Sequence, residues 1–325
     1  MTLPRRTFLQ LAAGATALPA LPGIAKAQAY PARPVRILVG FTPGGANDII
    51  ARLVGQALAE RLGQPFVVEN RPGAGSNIAA EAVVRASPDG YTLLQLTAAQ
   101  PVNAAVYEKL SFNVVRDLAP VASIYHLPMV VEVTPSFPAK TLPEFIAYAR
   151  AHPGALSYGT GGVGTVAHVG GELFKAMAGV DLVHVPYRGS PAVLTDLFGG
   201  QLQAAFDPLP TSIEPIKAGR LTALAITGPR RWPALPQMPT VAEFLPGYEA
   251  TIWAGIGAPK DTPAEIVATL NREINAVLAD PKIVARLSEL GAAVLTGSSA
   301  DFGRLIAAET EKWGRVVRAA NIKPE

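Results

Sequence analysis

The sequence predicts an α/β protein made of two similar lobes, and three observations carry that prediction. Strand-like and helix-like runs alternate from residue 35 to near the C-terminus. Glycine-rich turns join strand to helix at 40–48, 70–77 and 159–165, so one device recurs along the chain. The 325 residues are 49% hydrophobic and 16% charged, which supplies enough apolar side chain for sizeable buried cores. Alternation of this kind implies parallel sheets with helices on their faces. In such sheets the loops after the strands gather at one edge, where ligands bind.

The first turn sets the pattern. The apolar run 35–39 leads into Gly40-Phe41-Thr42-Pro43-Gly44-Gly45-Ala46-Asn47-Asp48, and a helical period follows over 49–62, stopped by Gly63. A strand that turns through glycines into a helix leaves N–H groups unpaired at the helix start, where they and the helix dipole favour a negative atom. A strand at 66–69 enters a second such turn, containing Gly75, Ser76 and Asn77, and a helix over 78–86. A strand at 91–96 then enters the Thr97-Ala98 turn and a helix near Asn103.

Beyond a run at 121–125 the spacing changes. A strand at 129–133 is followed by a break at 134–138 and by Thr141-Leu142-Pro143-Glu144, a capping box that opens a helix to about residue 151. A strand at 156–158 enters Gly159-Thr160-Gly161-Gly162-Val163-Gly164-Thr165 and a helix carrying His168. A strand at 183–185 ends in Pro186-Tyr187-Arg188-Gly189-Ser190, with a helix to 198; a strand at 202–206 ends at Asp207, and another spans 221–227. The proline-rich stretch 229–239 reads as a surface connection. A last strand at 252–258 precedes a helix with Thr262 as cap, Pro263 first and Glu265 closing the box. Helices near 281–290 and 300–320 end the chain and are expected to return to the first lobe.

Composition removes several classes of function. With no cysteine there is no disulfide, thiol catalysis or cysteine-based metal site. The formal charge of +3 arises in residues 1–27, which hold Arg5, Arg6 and Lys26 and no acid; the remainder has 28 − 3 = 25 basic against 25 acidic residues. A neutral chain gives no electrostatic reason to expect nucleic acid. Those first residues read as a targeting segment. Arg5-Arg6-Thr7-Phe8-Leu9-Gln10 is a twin-arginine pattern, 11–24 is weakly apolar and too short to span a bilayer, and Ala25-Lys26-Ala27 fits a cleavage site.

The glycine motif at 159–164 matches G-x-G-x-x-G, but the next strand ends in Val185-Pro186-Tyr187 without the acid that would hold a ribose, and Thr165 stands where a phosphate-binding loop needs lysine. A loop offering N–H groups to a small anion fits every residue present. Catalytic patterns are thin: there is no G-x-S-x-G and no H-E-x-x-H, and His126, His152, His168 and His184 have no metal-ligand spacing. A secreted hydrolase using His168 and Asp207 is the competing class, yet Ser76, Thr97, Thr160, Thr165 and Ser190 lie in candidate loops without an activating context. His168, Tyr187, Arg188 and Asp207 stand where a binding cleft would lie.

These residues resemble one family. Pro34-Val35-Arg36, Phe41 through Gly44-Gly45 and Asp48 to Ala51-Arg52, Val68-Glu69-Asn70-Arg71 with Gly73-Ala74, Tyr158-Gly159-Thr160 through His168, Val185-Pro186-Tyr187-Arg188-Gly189, Pro239 to Glu243, and Ala258-Pro259 with Thr262-Pro263 are similar to the Bug-type receptors of tripartite tricarboxylate transporters. The resemblance implies a type II periplasmic-binding-protein-like fold, two lobes with a ligand cleft between them. Lobe 1 is expected over 30–128 plus 253–325 and lobe 2 over 129–252. It implies that Phe41, Thr42, Gly45, Asp48, Gly75, Ser76, Asn77, Thr97 and Ala98 hold one carboxylate of a small ligand, and that Gly159, Thr160, Gly164, Thr165 and His168, with Tyr187, Arg188 and the selectivity residue Asp207, hold the far end. Asp48 is expected to cap its own loop, because its charge opposes an anion. The resemblance further implies a monomeric, non-enzymatic periplasmic receptor without cofactor or metal, delivering its ligand to membrane subunits of a transporter; a ligand sensor for a membrane signalling partner shares all these features.

If residues 1–27 are a cleaved export signal, N-terminal sequencing of the exported protein returns Gln28 as its first residue; recovery of Met1 or Thr2 overturns it.

Overall fold

The computed structural model describes residues 30–107 and 109–323; the expected signal segment lies outside the described residues. The chain alternates as read. Strand β1 (Val35–Val39) enters helix α1 (Ala46–Leu62), β2 (Phe66–Asn70) enters α2 (Asn77–Val84), and β3 (Thr92–Thr97) enters α3 (Ala99–Val106). After β4 (Leu118–Val133) come α4 (Leu142–Ala151), β5 (Ser157–Thr160), α5 (Val166–Ala178), β6 (Val183–Pro186), α6 (Ser190–Phe198), β7 (Ala204–Pro208), α7 (Leu209–Lys217) and β8 (Thr222–Ile226). Strand β9 (Thr251–Pro259), α8 (Ala264–Leu278), α9 (Pro281–Glu289), β10 (Ala293–Val294) and α10 (Ser299–Ala319) complete it.

The strands form one curled sheet in the order β2-β1-β3-β9-β4-β7-β5-β6, with β8 and β10 also paired to β4. The strands that feed helices pair in parallel, β1 with β2 and β3, and β5 with β6 and β7. Such strands are covered on both faces, and β3 is accordingly buried at every position. Antiparallel β9 and β4 join the two parallel groups.

Strand β4 departs from the sequence reading, which placed two runs with a break between them. It is continuous for 16 residues and changes partners midway: Leu118–Pro128 pairs with β9, and Met129–Val133 with β7 and β8. Pro128, which has no N–H to give a ladder, lies at the changeover. The two parallel groups thus become lobes of a two-lobe α/β fold, tied together by β4 and β9. A second difference lies at α8. Thr262 does not cap the helix; its hydroxyl donates to the Pro259 carbonyl oxygen at 2.7 Å, and Pro263 is the cap position. The Thr141–Glu144 capping box forms as read.

No helix among the described residues is long and apolar enough to cross a membrane. The C-terminal helix α10 packs on the first lobe. Trp313 is fully buried, and its indole N–H donates to Glu309 Oε2 at 2.8 Å, the same oxygen that Trp253 of β9 reaches at 3.3 Å. One carboxylate therefore satisfies two buried indoles while their rings fill the core. Trp313→Ala leaves both a cavity and an underused carboxylate, and denaturant unfolding is expected to show a loss of about 3–5 kcal/mol with an unchanged m-value; a loss below about 1 kcal/mol would show that α10 is loosely held.

Candidate functional site

The strand-to-helix loops of the first lobe converge at the carboxyl ends of β1, β2 and β3. The cap residues of α1 and α2, Gly45 and Ser76, offer no side-chain bond to the helix start; at α3 the cap residue is Ala98, but Thr97 Oγ1 accepts the Ala99 N–H at 3.2 Å and Pro101 has no N–H to offer. Away from this edge, α4, α9 and α10 are capped by Thr141, Asp280 and Ser298. Helix starts without caps leave N–H groups that seek an external acceptor.

Asp48 holds the first loop, as expected. Its Oδ2 accepts the Gly44 N–H at 3.0 Å, and its Oδ1 accepts from Arg52 at 3.0 Å and Asn70 at 2.9 Å. Burial alone would raise the Asp48 carboxyl; the hydrogen bonds from Arg52, Gly44 and Asn70 outweigh it and hold the group below the usual carboxylate range. Asn70 also donates to the Phe41 carbonyl at 3.0 Å. The Asp48 carboxylate thus spends its hydrogen-bonding capacity on its own loop.

The second loop is strained. Ala74, Gly75 and Ser76 all have positive φ, at 46°, 60° and 77°. Two of them are not glycine, and such residues cost of order 1–3 kcal/mol each and persist where surrounding contacts impose them. Here the contacts come from α3. Gln100 donates to Ser76 Oγ at 2.8 Å, and Asn103 Nδ2 donates to the Gly75 carbonyl at 2.6 Å and to Asn77 Oδ1 at 3.0 Å. These acceptors fix both amide orientations, and they leave Asn77 Nδ2 and Asn103 Oδ1 buried without a partner among the described residues.

In the third loop, Thr97 N–H and Oγ1 both donate to Gln100 Oε1, at 2.8 and 3.0 Å, and Ala98 N–H donates to the Trp253 carbonyl at 3.1 Å. The Thr97-Ala98 turn therefore places the loop with groups that are already spent, which the sequence reading did not foresee.

In the second lobe, Thr165 caps α5, its Oγ1 accepting the His168 N–H at 3.3 Å while donating to the Gly162 carbonyl at 2.7 Å. The His168 ring stacks on His184 with centroids 4.0 Å apart, and His184 Nε2 lies 2.7 Å from Thr160 Oγ1. Burial pushes His168 down to about 4 and His184 down to about 3, with Lys175 adding to both. Both imidazoles are therefore neutral at pH 7. Gly159 faces Leu202 and Val193 inside the lobe rather than the cleft. Tyr187 donates to Asp196 at 2.6 Å, and its hydroxyl is pushed up to about 12 by burial and by that carboxylate. Arg188 is exposed at the mouth of this loop, and Asp207 is wholly buried beneath Ser190, Thr211 and Ser212.

The two groups of loops meet. A Cβ built on Gly164, at φ +75°, would lie 2.1 Å from Asn103 Oδ1 and 3.6 Å from the Tyr107 ring; one on Gly189, at φ +130°, would lie 3.2 Å from Thr42 Oγ1. Glycine at 164 is thus required twice, for its backbone conformation and for the approach of the opposite lobe. Phe41, Thr42, Gly45, Gly75, Ser76, Asn77, Gly164 and Thr165 stand at or beside this meeting. Sequence reasoning missed Gln100 and Asn103. Their signal was two amides three residues apart on an otherwise apolar helix, AQPVNAAV.

Two α/β lobes that meet across loops at the carboxyl ends of their parallel strands define a solute-binding protein of the type II periplasmic class. The chain belongs to the tripartite tricarboxylate transporter receptor family, whose description matches residues 50–322. It is 36% identical over 300 residues to Protein BugT of Bordetella pertussis, covering 91% of this chain and 92% of that one. Among solved structures it is similar to R. palustris Rpa4515 with adipate, at 40% identity and a TM-score of 0.87, covering 91% of this chain and all of that one. It is also similar to MatC (Rpa3494) from Rhodopseudomonas palustris with bound malate, at 33% identity and a TM-score of 0.83, covering 89% of this chain and all of that one.

Asp48→Asn tests how the first loop is held. A carboxyl whose folded pKa is depressed contributes stability that is present above its unfolded value of ~3.9 and lost as pH falls through the folded value. The variant is expected to be about 1–3 kcal/mol less stable at pH 7, and the gap should narrow in acid below that range. A gap independent of pH would mean that packing, not charge, is what Asp48 contributes.

Proposed function

We propose that this protein is a periplasmic receptor that captures a small carboxylate between its lobes and delivers it to the membrane subunits of a tripartite tricarboxylate-type transporter. The observation that carries the reading is the convergence of two side-chain-uncapped helix starts, α1 and α2, on one edge. Helix starts of this kind hold an anion through N–H groups and dipole without a buried cation. The unpartnered Asn77 Nδ2 adds a buried donor beside them. Two similar solved structures are described with adipate and malate, which supports a carboxylate as the ligand class.

The lobes on this reading are 30–128 with 253–325, and 129–252. Phe41, Thr42, Gly45, Gly75, Ser76 and Asn77 form the carboxylate pole. Gly164, Thr165, His168 and the 187–190 loop close over the ligand, with Asp207 behind them as the selectivity residue. The protein acts as a monomer, after removal of the export signal, and performs no chemistry: the neutral His168–His184 stack has no hydroxyl nucleophile aligned for attack, because the hydroxyl it does meet, Thr160, is buried at the end of β5.

A panel of small carboxylates tests this by thermal unfolding and calorimetry. A ligand at 100 times its Kd should stabilise the fold by about 2.7 kcal/mol and be recovered unchanged by mass spectrometry. Gly164→Val should fold but lose tight binding, and small-angle scattering should show that ligand no longer closes it. No stabilisation by any carboxylate, or full affinity in a folded Gly164→Val, would overturn the reading.

A further inference from the structure

A pair of carboxyl groups lies behind the second lobe's cleft wall. Register places Val130 opposite Asp207 and Glu132 opposite Ala205, so Glu132 and Asp207 share one face of the sheet, one residue pair apart. Helix α7 covers that face through Leu209 and Ile213. Both acids are fully buried, and neither forms an ion pair among the described residues. Ser212 stands between them, its Oγ 3.0 Å from Glu132 Oε1 and 3.3 Å from Asp207 Oδ2.

A serine hydroxyl has one proton and can donate to only one of the two. The other contact is a hydrogen bond only if a carboxyl proton donates back to Ser212. Two buried carboxylates without a cation cannot both ionise, so the pair keeps a proton. Its location follows from the partners. Asp207 Oδ2 meets the hydroxyls of Thr211, which also reaches the Pro208 carbonyl, and of Ser212, whereas Glu132 has Ser212 alone. Burial raises both carboxyls, Asp207 to about 6 and Glu132 well above its ordinary range, and the additional hydroxyl contact at Asp207 leaves the proton on Glu132. Charged groups on the covering helices are engaged elsewhere, Asp196 with Tyr187 and Glu214 with Lys217.

We propose that Glu132 is held as the neutral acid and, through Ser212, positions a single negative charge on Asp207, so that the second lobe selects a ligand end that donates a hydrogen bond: an amide, an ammonium, or a carboxyl that arrives with its proton. The link to the cleft is Ser190, half-buried at the start of α6 beside Gly189, which faces Thr42 across the lobes. It belongs to the polar surroundings of Asp207, and its hydroxyl oxygen can accept from a ligand donor. Asp207 Oδ1 is a second acceptor without a partner among the described residues. The ligand is thus bipolar, with a carboxylate toward the first lobe's helix starts and a donor toward the second. This deepens the receptor reading and rests on it, except for the proton on Glu132, which is independent.

Two measurements separate them. Difference infrared spectroscopy between wild type and Glu132→Gln at neutral pH should show an undissociated carboxyl band that the variant lacks; its absence in the wild type overturns the proposal whatever the ligand. Calorimetry with adipate, its half-amide and the ω-amino acid of the same length tests selection. The wild type should bind a donor-ended probe at least about 10-fold tighter than adipate, or bind adipate with uptake of a proton seen as a buffer-dependent enthalpy. Asp207→Asn should remove most of that preference. Glu132→Gln, which keeps a neutral donor toward Ser212, should retain it, and Glu132→Leu should lose it. Adipate bound more tightly than its half-amide without proton uptake would overturn the selection. If none of the three probes binds, the selection falls with the carboxylate reading, and the infrared band alone decides the proton.

Discussion

A helix begins with N–H groups that its own backbone cannot satisfy, and the organisation of this protein follows from where those groups are left open. Surface helices α4 and α10 close theirs with full capping boxes, Thr141 with Glu144 and Ser298 with Asp301. At the first lobe's cleft edge the side chains that could do so are directed elsewhere. Asp48 bonds back to the loop before its own helix, and Ser76 Oγ accepts from Gln100. The loops are held by side chains while the helix starts are kept free, and holding the Ala74–Ser76 turn at positive φ is part of the same arrangement.

That arrangement requires a rigid frame on each side and a narrow connection between them. The frame is the parallel ladder with helices on both faces. The connection is β4 and β9, two adjacent strands that carry the chain across and back. Because β4 changes partners between Pro128 and Met129, each half is stiffened by a different set of neighbours. The close approaches of Gly164 to Asn103 and of Gly189 to Thr42 lie across that connection. On the proposed reading, closure depends on contacts that exist only when the lobes meet.

Most of the fold was legible because its signals are local. Hydrophobic period, glycine turns and the Thr141 capping box each act within a few residues. The misread elements are those where a distant partner decides. The 118–133 strand looked broken since its prolines and irregular spacing are resolved only by the partners that β9, β7 and β8 provide. Thr262 carries the residues of a cap but bonds to Pro259 instead. The cleft was legible at its glycines for the same local reason, whereas Gln100, Asn103 and Glu132 act on loops that only the folded sheet brings beside them. The Ala98 N–H, expected to serve a ligand, is taken by Trp253 from the returning strand, some 150 residues along the chain.

The two lobes also differ in the sign of what they present, and that difference follows from packing. In the first lobe the starts of α1 and α2 carry no side-chain cap. In the second lobe, Thr165 closes the start of α5 with its own hydroxyl, and the histidines behind it are stacked and kept neutral by burial. Beneath the neighbouring loop lie two buried carboxyls bridged by Ser212. On the proposed reading the first lobe offers N–H groups and the second the Asp207 carboxyl, although α6 also starts without a side-chain cap at Gly189. On that reading a ligand with one anionic and one hydrogen-bond-donating end is matched at both. Closing the lobes on such a ligand would strengthen both poles together by excluding water from between them.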